Sequence, residues 1–305
     1  MDKRKICFVR AKLKKDYVFD GIANSGYRII IPYTDRNIFL RVCRELWTRF
    51  KLPKTSIWYN KATKNIEQEI VIVKDPLITA DFICYLRQYN PNCKIIFDYD
   101  NRVARSLDPE SIRKYVDEIW SYDEDDCTKY GLRKKGHAYL DVYQTRPNPE
   151  RKYDVFYVGR DKGRLDQIHD LEEKLQAQGL RTYFYICADR EYLTWKKKEY
   201  RHFLPYEGYL ELLKESRAIL NIVPEGQRSI TQREMEAVFD GVKCITNNKG
   251  ILDFELYDRS RYYLLDDNYG GISEFLNTPF KEVDDSELRK YRFASHINEM
   301  MQENV

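Results

Sequence analysis

The sequence alternates short β-branched or aromatic runs with helical patterns, and this alternation restricts its fold more than any other feature. In the first half, strand candidates lie at Ile6–Val9, Tyr27–Ile31, Ser56–Tyr59, Glu69–Val73, Lys94–Asp98 and Glu118–Tyr122. Helical patterns lie at Asn37–Phe50, Thr79–Tyr89, Pro109–Tyr115 and Glu124–Tyr130. Strands separated by helices of about ten residues are typical of parallel βαβ units. The first half therefore predicts an α/β domain with a parallel sheet.

A second series of the same kind follows a short segment that is rich in proline. The segment Arg146-Pro147-Asn148-Pro149-Glu150 marks a linker, because its two prolines interrupt both helix and strand. After it, strand candidates lie at Tyr153–Val158, Thr182–Cys187, Ala218–Val223 and Lys243–Thr246, and helices at Arg164–Gln178, Tyr206–Glu215 and Thr231–Asp240. We therefore predict two Rossmann-like domains, 1–146 and 153–283, joined by a linker at 147–152.

Two such domains are expected to face a common cleft. Open α/β sheets bind ligands at the carboxyl ends of their strands, so we predict that the functional residues lie there. The remaining residues, 284–305, predict a long polar C-terminal helix over Asp284–Glu299, which could cross back to the first domain.

Composition and charge exclude several classes of protein. The 305 residues are 43% hydrophobic and 33% charged, which provides for a buried core and excludes a disordered or low-complexity chain. With 52 Lys and Arg against 49 Asp and Glu, the net charge of +3 is too small for general nucleic-acid binding. Seven scattered cysteines without a CxxC pair are typical of reduced cytosolic thiols and indicate no zinc site.

The sequence predicts a cytoplasmic protein with one candidate membrane-facing surface. No apolar run approaches the roughly 20 residues of a membrane span, and the N-terminus does not have the pattern of a signal peptide. Residues 192–203 interleave aromatic residues with cations, and residues 3–15 add seven cations. Such segments attract anionic lipid at the inner face of a membrane. The alternative interpretation of 192–203 is a solvated helix with Trp195 buried.

A glycine turn with three cations follows the first strand of the second half. In Val158-Gly159-Arg160-Asp161-Lys162-Gly163-Arg164, the glycine at 159 would let the backbone approach a ligand closely. The cations Arg160, Lys162 and Arg164 would pair with phosphate oxygens. The turn is neither a dinucleotide GxGxxG motif nor a P-loop, which argues against dehydrogenases and NTPases. The alternative is a solvated basic turn.

A polar loop and a helix start follow the strand Ala218–Val223. The capping-box pattern Ser229-x-x-Gln232 predicts that the helix begins at about Ser229, where backbone N–H groups could hold a diphosphate. The helical spacing places Met235, Val238 and Phe239 on a core face and Gln232, Arg233 and Glu236 on a polar face that could look into the cleft. The alternative is an ordinary amphipathic helix with a solvated charged face.

These stretches together resemble a known family. The order YVGRDKGR, FLPYEGYLELLKESRAILNIV and EGQRSITQREMEAVFDGVKCITNN resembles the donor-binding domain of GT-B fold glycosyltransferases, especially small bacterial enzymes of capsule, exopolysaccharide and lipopolysaccharide assembly. In the first half, DEIWSYDEDDCTKYGL is similar to the same group's segment before the domain junction. The resemblance covers about residues 69–248, and its second half is the more specific.

The resemblance implies a Leloir-type enzyme and a donor site. Such an enzyme would move a sugar from a nucleotide diphosphate, most commonly UDP in this group, to a glycan or lipid-linked acceptor, with no divalent metal required. Glu236 matches the carboxylate that binds the ribose hydroxyls. Arg160, Lys162 and Arg233 match the cations that neutralise the diphosphate, with Ser229, Ile230 and Thr231 at the helix start. The spacing from Glu225 to Glu236 is longer than in the group, so only Glu236 is assigned.

The strand Lys94–Asp98 ends in a candidate catalytic pair. An inverting transferase needs a base for the acceptor hydroxyl, and Asp98 and Asp100 stand at the carboxyl edge where such a base belongs. Two other interpretations remain open for Asp98-Tyr99-Asp100. It spells the DxD that metal-dependent transferases of another fold use, and Asp residues at strand ends commonly cap turns.

Three other functions remain open at this level. A non-catalytic sugar-nucleotide-binding or scaffold protein would keep the donor site without transfer. A nucleic-acid binder would show steeply salt-dependent binding. A metal-dependent transferase would use Asp98 and Asp100 and stop working in chelator. The donor sugar, the acceptor and the stereochemistry of transfer are not readable from the sequence.

Overall fold

The chain forms two compact units, Met1–Gly136 and His137–Val305. The computed structural model describes residues 2–13, 16–34, 37–136, 138–265 and 269–301, so Lys14 and Lys15 of the basic N-terminal segment lie outside the described residues. The segment 147–152, predicted as a linker, lies within the second unit.

A six-stranded parallel sheet forms the centre of the first unit. Its order is β2-β1-β3-β4-β5-β6, and the strands are β1 (Ile6–Arg10), β2 (Arg28–Ile30), β3 (Ile70–Lys74), β4 (Lys94–Asp98), β5 (Glu118–Ser121) and β6 (Arg133–Lys134). The helices are α1 (Tyr17–Asn24), α2 (Ile38–Arg49), α3 (Ala80–Tyr89) and α4 (Glu124–Tyr130). The predicted parallel α/β fold of this half is confirmed.

Two predicted elements of the first unit are wrong. Thr55–Trp58 is a 3-10 turn and not part of a strand, because Lys54 adopts a left-handed backbone with φ of 60° and Tyr59 packs as a core side chain against Phe82. The helix predicted over Pro109–Tyr115 is a pair of 3-10 turns. Aromatic and β-branched content alone does not distinguish a strand from a turn that carries aromatic core residues.

A five-stranded parallel sheet forms the centre of the second unit. Its order is β11-β10-β9-β7-β8, and the strands are β7 (Tyr153–Arg160), β8 (Thr182–Cys187), β9 (Ser216–Asn221), β10 (Lys243–Thr246) and β11 (Tyr262–Leu264). The helices are α5 (Leu165–Ala177), α6 (Tyr206–Lys214), α7 (Gln232–Asp240) and α8 (Ile272–Asn277).

Both faces of this second sheet are buried, as its near-continuous apolar strands require. Successive side chains point to opposite faces of a strand, so Val155 and Tyr157 pack into one cluster with α5, while Phe156 packs into another with α7. Each helix covers its face with an apolar stripe, such as Ile168 and Leu171 of α5. The sheet is therefore a rigid support for the loops at its edges.

The C-terminal segment is not the single long helix that its pattern predicts. It forms α9 (Asp285–Leu288), a 3-10 turn at Arg289–Tyr291 and α10 (Phe293–Met301), while 302–305 lie outside the described residues. The interruption arises because Tyr139 donates its N–H to the carbonyl of Tyr291 at 2.8 Å and accepts from the N–H of Phe293 at 2.9 Å. Arg292 between them is extended.

Each sheet reverses its direction of growth beside its first strand. In the first unit β2 and β3 lie on opposite sides of β1, and in the second unit β8 and β9 lie on opposite sides of β7. Loops that leave such a point in opposite directions open a crevice at the carboxyl edge, where open α/β sheets bind ligands. The order of the strands therefore predicts that the ligand-binding site of the second unit lies at the loops after β7 and β9.

Gly250 supports the loop after β9 by backbone contact. A Cβ atom at position 250 would lie 1.8 Å from the carbonyl oxygen of Arg228, so Gly250→Ala must push that loop away. We expect the substitution to lower the free energy of unfolding by about 1–3 kcal/mol, the usual range for overpacking. Thermal unfolding of the full chain measures it.

The matched control is Gly136→Ala, since a Cβ there would meet no atom within 4 Å. Equal unfolding temperatures for the two variants would contradict the close approach at Gly250.

Candidate functional site

The strand order predicts a crevice in the second unit at the point where β7 and β9 stop pairing. The two strands pair from Tyr153 and Ser216 to Phe156 and Ile219, whereas β7 stays paired with β8 as far as Arg160. Both stretches that the sequence singles out leave the sheet at this edge. One is the turn 161–164 after β7, and the other is the loop 222–231 after β9.

The turn after β7 is built to present cations. Lys162 and Gly163 both have positive φ, at 49° and 74°, and the carboxylate of Asp161 accepts the N–H of Arg164 at 2.7 Å. The N–H of Lys162 donates to Oδ1 of Asp189 at 2.7 Å. The turn is thereby fixed at both ends, and the side chains of Arg160 and Lys162 lie at the surface.

Gly159 and Arg160 have distinct structural roles at the end of β7. A Cβ at position 159 would lie 2.4 Å from the hydroxyl oxygen of Tyr157, so the tyrosine ring fills the space that a side chain would take. The guanidinium of Arg160 lies 4.7 Å from the ring centroid of Phe203, a cation–π distance that limits its freedom. Its charge is therefore held near the crevice before any ligand binds.

Two arginines connect the two loops. Arg164 donates from Nη1 to the carbonyl of Ile222 at 3.0 Å, and Arg233 donates from Nη2 to the carbonyl of Val158. These carbonyls lie just beyond the last β7–β9 pair, so the arginines satisfy backbone groups where the ladder ends. Of the four predicted cations, Arg160 and Lys162 are therefore the exposed pair, whereas Arg164 and Arg233 hold the crevice together.

The helix after β9 agrees with the predicted bounds Thr231–Asp240, but it starts later than the pattern Ser229-x-x-Gln232 predicts. Its capping box is Thr231 with Glu234, not Ser229 with Gln232, and α7 begins at Gln232. Asn221 donates to Oγ1 of Thr231 at 3.0 Å, which fixes the cap against the end of β9. Ser229 and Ile230 are half-buried residues of the loop that leads to the cap. The helix N–H groups nearest this loop are therefore those of Gln232 and Arg233.

Glu236 lies in the interior, which corrects the prediction that it looks out from a polar helix face. It is 1% exposed and accepts hydrogen bonds from the hydroxyls of Tyr206, at 2.6 Å, and Tyr209. Burial raises the pKa of Glu236, although both tyrosine hydroxyls oppose the rise. The prediction fails because helical spacing cannot show that α6 packs two tyrosines over this carboxylate.

Asp240 lies one turn further along α7 and is also buried. It accepts the hydroxyl of Tyr139 at 2.9 Å and the N–H of Thr145 at 2.7 Å. Burial raises its pKa to about 7, against the lowering effect of the Thr145 N–H. The helix therefore carries two carboxyl groups whose charge is disfavoured by their surroundings.

In the first unit, Asp98 and Asp100 belong to a cluster of opposite charges at the carboxyl edge of the sheet. Asp98 is 1% exposed and pairs with Lys74 at 2.7 Å and with Lys135. The side chain of Asp100 is 22% exposed and pairs with Lys74 at 2.7 Å and with Arg10. Burial raises the pKa of Asp100, but the charges of Lys74 and Arg10 outweigh it and keep the pKa below its ordinary value.

The partners of these aspartates are functional candidates that the sequence analysis missed. Arg10 ends β1 and Lys74 ends β3, and Asp75 accepts the backbone N–H of Asp100. Burial and the charge of Asp100 raise the pKa of Asp75. A signal was available, because a charged residue that ends an apolar run is the same pattern that selected Asp98. Applied to every strand, it would have found Arg10 and Lys74 as well.

The described residues contain neither a candidate metal cluster nor a candidate membrane span. Within them, no group of three or more His, Cys, Asp or Glu residues is placed to hold a metal ion. None of the described helices has both the length and the apolar character needed to cross a membrane.

Comparisons with known proteins find structural likeness without sequence likeness. No protein-family model and no curated protein matches the chain. An α-glucosyltransferase solved in complex with UDP and a 13-mer DNA that contains a central A:G mismatch aligns with a TM-score of 0.59 at 12% identity, over 98% of this chain and 96% of that one. The spinosyn forosaminyltransferase SpnP aligns with a TM-score of 0.44 at 11% identity, over 97% and 98%.

The first of these likenesses extends over nearly the whole of both chains and is one of fold. It agrees with the predicted class, in which two α/β units with parallel sheets follow one another as in GT-B glycosyltransferases. The fold prediction is therefore confirmed.

The raised pKa of Asp240 has a consequence for stability. Because its folded-state pKa of about 7 lies above the ordinary 3.8, folding favours the protonated carboxyl, and this stabilisation is lost as pH rises from about 4 to about 7. We expect the stability of the wild type relative to Asp240→Asn to fall over that range, by at most about 1.4 kcal/mol per unit of pKa shift. Urea unfolding at a series of pH values measures both proteins.

The comparison cancels the titration of groups that do not interact with Asp240, whereas Glu236, whose charge raises the pKa of Asp240, is coupled to it and contributes to the difference. A difference between the two proteins that stays constant from pH 4 to 7 would show that Asp240 does not titrate in this range.

Proposed function

We propose that this protein is a glycosyltransferase that takes a sugar from a nucleotide diphosphate, with UDP as the first candidate, through its second unit. The observation that carries the proposal is the position of both sequence-selected loops at the one point where β7 and β9 separate. A topological switch point is where a doubly wound sheet binds a nucleotide. The fold shared with a glycosyltransferase solved with UDP supports the same conclusion.

The chemistry of the crevice suits a departing diphosphate. Cleavage of the sugar–phosphate bond leaves negative charge on the nucleotide, and cations that are already in place stabilise that charge as it develops. Arg160 and Lys162 supply the cations, and the first turn of α7 supplies N–H groups at Gln232 and Arg233. The positive end of the helix dipole adds to the same effect.

Glu236 is proposed to anchor the ribose together with Tyr206. A carboxylate has about four acceptor sites, and the hydroxyls of Tyr206 and Tyr209 and the side chain of Gln232 occupy three of them, so one site is left for a ribose hydroxyl. Tyr206 is only half-buried, at the start of α6, and would be the side chain that adjusts. Arg233 lies beside Glu236 and lowers the cost of its charge.

Asp100 is the stronger candidate of the catalytic pair. Asp98 is enclosed between Lys74 and Lys135, which suits a structural role, whereas Asp100 keeps part of its side chain exposed. Asp100 is ionised at neutral pH, and the charges of Lys74 and Arg10 that lower its pKa also make it a weaker base. The acceptor hydroxyl would come from a glycan or a lipid-linked sugar, and no divalent metal is assigned a role.

The basic and aromatic segment 192–203 supports a location at a membrane surface. Trp195 is 79% exposed and Tyr192 is exposed as well, so the alternative in which Trp195 is buried is wrong. Exposed tryptophan and tyrosine next to Lys196, Lys197 and Lys198 suit the interface of an anionic bilayer. We propose a cytoplasmic protein that attaches peripherally to the inner face of the cell membrane and acts in the assembly of bacterial capsule, exopolysaccharide or lipopolysaccharide.

Loss of either exposed cation should weaken donor binding. We expect Arg160→Ala and Lys162→Ala each to raise the dissociation constant for UDP and its sugars by roughly tenfold, the usual value of a charge-assisted contact. A thermal-shift screen against UDP-, GDP-, CMP- and dTDP-sugars identifies the nucleotide first, because a ligand of the folded state raises its apparent stability. Titration calorimetry then compares the variants.

Arg259→Ala, an exposed cation elsewhere in the second unit, is the matched control. Tyr206→Phe tests the hydrogen bond between Glu236 and Tyr206, and Glu236→Gln tests the contact between Glu236 and the ribose. If Glu236 binds the ribose, Glu236→Gln should lose more affinity for UDP than for pyrophosphate, each relative to the wild type. Wild-type affinity in both Arg160→Ala and Lys162→Ala would remove the donor site from this crevice.

Asp100→Asn should slow transfer strongly while leaving donor binding unchanged. Removal of a general base costs about 10²–10⁴ in rate, and the second unit, which binds the donor, does not contain Asp100. The assay measures sugar transfer from the identified donor to a lipid-linked acceptor, with a DNA duplex as a second acceptor and with and without EDTA.

Four outcomes have distinct meanings. Donor binding without transfer to any acceptor supports a scaffold protein, and transfer to DNA replaces the proposed acceptor. Loss of activity in EDTA supports the metal-dependent class, and full activity of Asp100→Asn at wild-type stability rejects Asp100 as the base.

A further inference from the structure

Helix α2 of the first unit has its apolar side chains on the outside. Ile38 is 80% exposed, Phe39 71% and Phe50, which caps the helix, 69%, and Val42 and Leu46 continue the row between them. In α2, all of whose residues the structure describes, Arg44 is the only buried side chain. A surface helix of a globular protein normally buries its apolar stripe. The exposed stripe of α2 therefore indicates a binding surface.

The loop after α2 extends the same surface. Leu52, in the turn after Phe50, and Ile57, in the 3-10 helix Thr55–Trp58, are also exposed. The inner side of this segment is fixed, because Trp47 donates from Nε1 to the carbonyl of Pro53 at 3.0 Å and packs edge to face on Trp58. The contacts of Trp47 with Pro53 and Trp58 therefore fix the segment that carries the exposed apolar side chains.

The charge of this segment points to the occupant. Residues 37–64 contain seven cations and one carboxylate, Glu45, a net charge of +6 in a chain whose total is only +3. The cations are Arg41, Arg44, Arg49, Lys51, Lys54, Lys61 and Lys64. An anionic bilayer has an apolar acyl region beneath negatively charged headgroups. A row of apolar side chains in a segment rich in cations is complementary to such a surface.

A cavity beside the helix provides a place for an anionic headgroup. It has a volume of about 410 Å³ and lies at the carboxyl ends of β1 and β2, with Arg41 and Arg44 of α2 and Lys12 in its wall. The guanidinium of Arg44 lies 3.9 Å from the ring centroid of Tyr33, whose hydroxyl donates to the carbonyl of Leu77 at 2.9 Å. The walls are thus built from fixed side chains.

We propose that α2 and the loop to Ile57 dock the first unit on an anionic membrane, with the apolar row in the acyl region and the phosphate of a lipid headgroup beside the cavity. This surface is separate from segment 192–203, which belongs to the second unit. It rests on the proposed function only for the expectation that the acceptor is lipid-linked. Lipid binding itself requires no donor and no transfer.

Co-sedimentation of the full chain with vesicles tests the proposal without nucleotide. We expect binding to phosphatidylcholine vesicles that contain phosphatidylglycerol, and at least tenfold weaker binding to pure phosphatidylcholine. The double variant Phe39→Ser/Phe50→Ser should lose at least about tenfold in binding to the anionic vesicles, because two apolar side chains no longer enter the bilayer. Lys51→Gln/Lys54→Gln should bind the anionic vesicles roughly tenfold more weakly. Its binding should also depend less on salt concentration than that of the wild type, because fewer charges remain to be screened.

The matched control uses an exposed apolar residue of the second unit. Leu252→Ser should bind as the wild type, because Leu252 lies outside both proposed membrane-facing segments. All these positions are exposed, so circular dichroism should show unchanged unfolding. Donor binding is measured in a separate experiment. Vesicle binding can therefore be confirmed when the proposed donor site is wrong, and donor binding can be confirmed when the proposed membrane surface is wrong.

Three results would overturn the assignment. The first is no binding of the wild type to anionic vesicles, and the second is undiminished binding by Phe39→Ser/Phe50→Ser. The third is sedimentation of the lipid-free protein as a dimer that the same double variant dissociates, which would make this face an interface between two copies of the chain.

Discussion

The second unit depends on what happens to the backbone where β7 and β9 part. Past Phe156 and Ile219 these two strands no longer pair with each other, and the side chains of Arg233 and Arg164 bond the carbonyls of Val158 and Ile222. An unpaired buried carbonyl would cost about 1–3 kcal/mol, so these contacts stabilise the separated edge as well as position it. The cationic turn and the helix start keep their spacing because Arg164 and Arg233 tie each loop to the opposite strand.

In the first unit, buried ion pairs fix the ends of the strands. Arg10, Lys74 and Lys135 meet Asp16, Asp98 and Asp100 at the end of its sheet, with little access to water. Each charge alone would be expensive to bury, and only mutual pairing makes the group tolerable. A cluster of this kind fixes the relative positions of three strand ends, which a catalytic or acceptor-binding edge requires.

Much of this could be read from the sequence, and the limits have identifiable causes. Strand-to-helix alternation and the glycine turn at 159–164 depend on neighbouring residues, so local pattern predicts both. The burial of Glu236 depends on Tyr206 and Tyr209, which lie 30 and 27 residues away along the chain. The helix start at Gln232, in contrast, is a local signal, because Thr231-x-x-Glu234 is itself a capping-box pattern, and the overlapping pattern Ser229-x-x-Gln232 predicts a start that is too early. Tertiary packing therefore decided the burial of Glu236, whereas the helix start was a choice between two local patterns.

The ring of Tyr157 over Gly159 limits how this crevice can be redesigned. Because the aromatic ring already occupies the volume beside the glycine, no side chain can be added at position 159 unless Tyr157 moves. A redesign of the turn must therefore use the exposed positions 160 and 162, or remove the ring and accept a void in the apolar cluster that Tyr157 shares with Leu171 and Ile186.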